Sequence, residues 1–210
     1  MKRKIMIVGR SGCGKDTLAY FLTLLYKLIQ LISITTRPPR YKGEKAHVFK
    51  SEEEANKMTD RVAETVINGY QYFATRQQLD ECDVYVVDPK GLQDVCERAP
   101  DVELCVVYVN ASTKTRRKRA IDRAEDKEEA ARVFDKRHDD ENAMFTEFES
   151  LIANSNLADF HKVYPTVSSV IVMNNEAANL DEINKKAELV MMYVQQENMG
   201  EMFGPYYHKI

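Results

Sequence analysis

Five short apolar runs alternate along the chain with stretches whose apolar residues recur at helical spacing. The runs are Lys4 to Gly9, Leu31 to Thr35, Val84 to Asp88, Leu104 to Val109 and Ser169 to Met173. Each has the length and the β-branched content of a strand. VYVV and CVVYV carry no polar alternation, as expected of parallel strands covered on both faces. Helices are predicted over Asp16 to Gln30, over Gly91 to Ala99 before Pro100, from a Ser112 cap to about Arg123, and over Leu180 to Gln196. The alternation predicts an α/β fold, a three-layer α/β/α arrangement around a five-stranded parallel sheet.

Two segments interrupt this pattern within a single domain of residues 1–196. Residues 36–75 stand where a simple crossover needs only a helix, and they are read as a small substrate lobe. Ser51 with Glu54 forms a capping box there, and VAETVINGYQYFAT reads as two strands around an Asn68-Gly69 turn of type I′. Residues 114–149 are read as a helical lid, with ten Lys or Arg between Lys114 and Arg137. The core is then 1–35, 76–113 and 150–196. Residues 197–210, ENMGEMFGPYYHKI in their last fourteen, lack a period and are left as a tail.

Composition narrows the function without naming it. The 210 residues are 44% hydrophobic and 30% charged, as in ordinary globular chains, with a formal net charge of -3. That charge favours neither a nucleic-acid backbone nor an anionic membrane, so any anion site must come from local clustering of Lys and Arg. The apolar run after Met1 to Lys4 stops at Gly9, too soon for an export signal, and no run approaches the roughly 20 residues that span a bilayer. The expected location is the cytoplasm, as a monomer or homodimer. Cys13, Cys82, Cys96 and Cys105 have no paired spacing, which suits reduced structural thiols.

The clearest chemistry is in GRSGCGKDT, Gly9 to Thr17, between a predicted strand and helix. Gly9, Gly12 and Gly14 allow tight turns that converge the amides around Ser11 and Cys13 on phosphate, with the positive end of the next helix behind them. Lys15 adds a point charge for the β- and γ-phosphates. This is a P-loop for ATP. The Ser or Thr expected after the lysine is Asp16, followed by Thr17, so either oxygen can hold Mg²⁺, or Asp16 can act through a bound water.

A second anion site is read in SITTRPPRYKGE, where Ser33, Arg37, Arg40 and Glu44 fall in one loop stiffened by prolines. Two arginines three apart suit bidentate capture of a phosphate. Asp88 ends an apolar strand at the edge where ligands of open α/β sheets collect, as a metal or substrate carboxylate or as a turn residue before Pro89.

These motifs together resemble the guanylate kinase family over most of Lys4 to about Phe148. The resemblance implies transfer of the ATP γ-phosphate to a nucleoside monophosphate, in a core with a substrate lobe and a lid. It matches Lys15 and its loop to the ATP grip, Ser33, Arg37 and Arg40 to the monophosphate loop, and Tyr72 to a phosphate-contacting tyrosine. RAEDKEE from Arg123 resembles the family lid, which makes Arg119, Arg123 and Arg137 candidate transition-state arginines. Arg116, Arg119 and Arg123 also share one helix face by spacing.

Departures from the family pattern cluster around the acceptor. His47 stands where a second phosphate-binding Tyr is usual, and Ala74 where a hydroxyl meets guanine. Glu64 is one residue out of register with the guanine-binding Glu. A base site lacking a hydrogen-bond partner loses about 1–3 kcal/mol, so strict guanine selection is not expected. Gln71, Glu64 and Asp88 can read another base edge. The reading is an ATP- and Mg²⁺-dependent kinase for GMP or a deoxynucleoside monophosphate. The alternatives are a kinase for another small phosphorylated acceptor and an inactive guanylate-kinase-like interaction module.

Overall fold

The computed structural model describes residues 3–39, 41–67, 69–154, 157–176, 179–199 and 206–210. Its main sheet is built from β1 (Lys4–Val8), β2 (Gln30–Leu31), β7 (Val84–Val86), β8 (Leu104–Asn110), β9 (Val167–Asn174) and β10 (Tyr206–Lys209), in the order β10-β9-β8-β1-β7-β2. Every pairing in it is parallel. All the carboxyl ends therefore share one edge.

Alternation along β1 shows why the sheet needs two covers. Ile5 and Ile7 face one side with Leu18 and Leu22 of α1 (Lys15–Tyr26) and with Ala187, Val190 and Val194 of α8 (Leu180–Met199). Met6 and Val8 face the other, with Leu92 of α4 (Pro89–Arg98), Phe145, Phe148 and Ile152 of α6 (Lys127–Ala153), and Phe160 of α7 (Leu157–Val163). Phe148 anchors this second layer, with ring centroids 5.5 Å from Tyr108, 5.8 Å from Phe160 and 5.7 Å from Tyr164. Full burial of such side chains stabilises by about 1.5–3 kcal/mol each.

The lobe has its own sheet, ordered β4-β3-β6-β5, from β3 (Ile34–Thr35), β4 (Val48–Phe49), β5 (Arg61–Ile67) and β6 (Tyr70–Thr75). Its small core is Ile34, Phe73 and Ala55, the last on α2 (Glu52–Asn56), with Met58 beside them. The expected Ser51–Glu54 capping box starts α2, and a second, Thr75 with Gln78, starts α3 (Arg76–Glu81). Gly69 has φ 80°, as a left-handed turn requires; Asn68 lies outside the described residues.

Three sequence expectations change. The run Leu31 to Thr35 is not one strand: Leu31 ends β2 of the main sheet and Ile34 opens β3 of the lobe. The tail is not all irregular, because Tyr206 to Lys209 pairs with Ser169 to Val172 and adds a sixth strand to the five expected. The helix expected to Gln30 ends at Tyr26, where Lys27 takes a left-handed cap with φ 55°. The charged segment forms α5 (Thr113–Asp122), capped by Ser112, and α6, which runs past residue 149 to Ala153.

Candidate functional site

The parallel register brings the sequence motifs to one edge. Ile7 pairs with Val86, and the Val87 amide donates to the Ile7 carbonyl at 3.0 Å, so Gly9 and Asp88 leave adjacent strands at the same level. Leu31 pairs with Tyr85, which puts Ser33 level with Val87, one residue short of Asp88, on the next strand. Neighbouring strands lie about 4.8 Å apart, so three strand ends place the glycine-rich motif and the arginine motif within roughly 10 Å of one another at their starts.

In the first motif, Gly12 and Gly14 have φ of 79° and 103°. A Cβ at Gly14 would run into the Asn175 side-chain amide. Helix α1 begins at Lys15 with no side-chain cap, leaving its first amides to the loop. Lys15 Nζ donates to the Arg10 carbonyl at 3.1 Å, Asp16 is exposed in the first helical turn, and Thr17 is half-buried. Cys13 is buried in the loop; burial pushes its thiol up despite the opposing charge of Lys15, so it packs as a neutral group.

In the second motif, the Thr35 hydroxyl accepts from the Arg37 amide at 3.2 Å and donates to the Gln71 carbonyl at 2.8 Å, fixing the loop on β6. Arg37 and Glu44 are both buried, and the guanidinium donates to the two carboxylate oxygens at 2.8 and 3.3 Å and to the Pro38 carbonyl at 2.7 Å. Glu44, and to a lesser degree Tyr72, raises Arg37 above its ordinary value against the effect of burial. Arg37 Nε is buried with no protein acceptor. Beside it, Ser33 Oγ and His47 Nδ1 are 3.0 Å apart, and the His47 and Tyr72 rings meet edge-on at 5.3 Å. Ser33, Arg37, Glu44, His47 and Tyr72 thus form one cluster. Arg40 lies outside the described residues.

Of the two remaining acidic candidates, Glu64 turns to the other face of the small sheet and Asp88 stays at the strand end. Directly paired residues share a sheet face, so Thr65 lies with Tyr72, whereas Glu64 lies with Phe73 on the opposite face. There Glu64 pairs with Arg61, whose guanidinium sits 3.9 Å over the Phe73 ring. Asp88 caps α4, accepting from the Gly91 amide at 2.7 Å and from the Thr65 hydroxyl at 3.0 Å. Thr65 is therefore the residue the sequence reading missed; it joins the acceptor face to the strand end.

The charged helices touch the first loop from outside. Arg119 donates to the carbonyls of Gly12 at 3.3 Å, Cys13 at 3.2 Å and Asn175 at 2.7 Å. Arg116, buried, donates to the Ser11 and Ala111 carbonyls. Arg137 pairs with Glu141 at 3.3 Å, and Arg123 is exposed at the end of α5. Arg10 forms a two-pronged pair with Glu149, whose other partner is the Tyr108 hydroxyl at 2.6 Å. Burial pushes the Glu149 carboxyl up, but these two hydrogen bonds outweigh it and hold the group low.

No protein-family model matches the chain. A guanylate kinase from Legionella pneumophila (strain Paris) is 25% identical over 205 residues, covering 91% of this chain and 95% of that protein. The crystal structure of guanylate kinase from Anaplasma phagocytophilum superposes with a TM-score of 0.55 at 19% identity, covering 95% of this chain and 88% of that one, a likeness of fold.

Proposed function

Because this chain is guanylate-kinase-like in sequence and in fold, we propose that it transfers the γ-phosphoryl group of ATP to the phosphate of a nucleoside monophosphate. The observation that carries the reading is the pair of anion grips at one sheet edge. The loop from Gly9 to Thr17 would hold the triphosphate, and Ser33, Arg37 and Tyr72 would orient the acceptor. Holding both reactants in line converts a two-body encounter into a one-body step, and transfer needs little covalent help from the protein.

Lys15 now rests on a loop carbonyl, from which its flexible stem can swing to the β- and γ-oxygens. Arg37 Nε, a buried donor lacking an acceptor, would be satisfied by a phosphate oxygen. Arg123 and Arg137 are the exposed arginines that closure can bring to the migrating group, whose charge spreads over three oxygens. Among the described residues no three His, Cys, Asp or Glu side chains form a metal cage. That suits Mg²⁺, which keeps several waters and takes phosphate oxygens with one or two protein ligands. Asp16 and Thr17 fit that part, and the bound ion would neutralise charge between the β- and γ-phosphates.

A second reading keeps the chemistry and changes the acceptor. Buried Ala74 offers no hydroxyl to a base, and Glu64 faces away from Tyr72, so the acceptor can be another small phosphorylated molecule. The test follows ADP formation with ATP and Mg²⁺ over a panel of ribo- and deoxyribonucleoside monophosphates and sugar phosphates. Dependence on the base supports the first reading and activity only on sugar phosphates the second. Folded protein that is silent on every acceptor refutes both and leaves the interaction-module alternative.

A further inference from the structure

We infer that Glu141, on α6, is a positioning residue for the phosphate loop, acting with Arg116 through Ser11 to hold the amides of residues 12–14 in their binding arrangement. The inference rests on the reading of that loop as a triphosphate site.

A loop that turns its amides toward an anion must turn its carbonyls outward, and those carbonyls need donors. Here the donors come from one patch of α5 and from the segment after β9. Arg116 serves Ser11 at 3.4 Å, Arg119 serves Gly12 and Cys13, and Asn175 Nδ2 serves Cys13 at 2.7 Å. Ser11 differs, because its amide also points away from the cradle. That amide donates to both Glu141 oxygens at 3.0 and 3.1 Å, and the Ser11 hydroxyl donates to the same carboxylate. One residue is thereby gripped at its amide, its hydroxyl and its carbonyl.

Burial and charge make this grip firm. Arg116 is 2% and Glu141 9% exposed, and the two are 3.7 Å apart. Arg116 sits 5.6 Å over the Phe134 ring of the same helix as Glu141 and donates to Thr113 Oγ1 at 3.2 Å. Arg137 reaches Glu141 from the solvent side, so the carboxylate is flanked by two guanidinium groups and adds little net negative charge beside the phosphates. A helix–helix ion pair alone would need Arg116 and Glu141 but would have no use for Ser11. The three contacts to Ser11 instead set where the loop begins its turn at Gly12.

The test uses the full chain with Glu141→Ala, Glu141→Gln and Asp140→Ala, the last removing an exposed carboxylate from the same helix without touching the loop. Calorimetric titration with MgATP and separately with a nucleoside monophosphate gives the two affinities, and amide hydrogen exchange gives the protection of Ser11. Glu141→Ala is expected to weaken MgATP about tenfold, the worth of roughly one charge-assisted hydrogen bond. Glu141→Gln, which keeps one acceptor oxygen, should recover part of that loss, while Asp140→Ala and all monophosphate affinities stay at the wild-type level. Unchanged or tighter MgATP binding in folded Glu141→Ala overturns the inference. Where Glu141→Ala does not fold, Glu141→Gln decides, and an affinity equal to that of Asp140→Ala overturns it. A wild-type chain that binds no ATP sinks the triphosphate reading, and Ser11 exchange then decides separately: protection lost in Glu141→Gln upholds the grip, and no protection in the wild type overturns it.

Discussion

The Arg37–Glu44 pair allows structure and binding to be separated by mutation. Both side chains are nearly enclosed, at 10% and 3% exposure, and bonded at 2.8 Å. Arg37→Met removes the guanidinium and leaves Glu44 a buried carboxylate without its main partner, a change that costs about 3–5 kcal/mol. Adding Glu44→Leu removes the stranded charge. Replacing a buried ion pair by apolar groups of similar volume is commonly neutral, so the double variant should regain most of that stability. Acceptor affinity should behave differently. If Arg37 holds the acceptor phosphate, both variants lose about 1.5–3 kcal/mol of binding, roughly ten- to a hundredfold, since both lack the charged donor. Denaturant unfolding measures the first quantity and calorimetry with the preferred monophosphate the second. A double variant that is stable and binds the acceptor as tightly as the wild type would refute the assignment of Arg37.

Lys15→Ala should retain the fold, because Lys15 makes one partly buried bond, and should drop kcat at least a hundredfold in the ADP-release assay. Gly14→Ala should cost about 1–3 kcal/mol in a melt and abolish detectable ATP binding, because φ 103° and the Asn175 amide both oppose a Cβ. Glu54 is held down to about 2 from its ordinary 4.5, first by the Ser51 amide and then by Lys50. Its folded value lies below the unfolded one, so the capping contribution is complete above about pH 4.5 and fades as pH falls toward 2; an NMR titration of its carboxyl with a midpoint near 4.5 would show the box absent.

The sequence disclosed what depends on near neighbours. Gly9 to Thr17 is legible as a glycine-rich turn from strand to helix because such a turn is a local object, its glycines and helix start fixed by spacing. The Ser51–Glu54 box and the Ser112 cap are local for the same reason. What escaped depends on partners far along the chain. Leu31 and Ile34 look like one strand because residue type does not say which of two sheets each will join. Tyr206 to Lys209 carries no helical or strand period, yet an edge strand of four residues needs only a free neighbour in β9. The misplacement of Glu64 has a sharper cause. Ile67 pairs with Tyr70 next to the turn, and counting back from there puts Thr65 beside Tyr72 and Glu64 on the opposite face; the register shift between Arg61 and Ala63 lies beyond both. Glu141 was hidden in a run of charges that reads as a solvated helix face, and only a contact across 130 positions shows otherwise.

The division of Leu31 to Thr35 between two sheets has a mechanical consequence. The chain enters the small sheet through Ile32 and Ser33 and leaves it at Thr75. One side chain fastens both passages: Gln78 accepts the Thr75 amide at 3.1 Å and donates to the Ile32 carbonyl at 2.9 Å. The two strands of backbone that join the sheets are therefore pinned at a common point, like two straps of a hinge sharing one pin. That hinge is braced, because Val62 and Ala63 of β5 and Ala74 of β6 lie in one core with Leu92 and Val95 of α4, so swinging one sheet toward the other would have to open this packing.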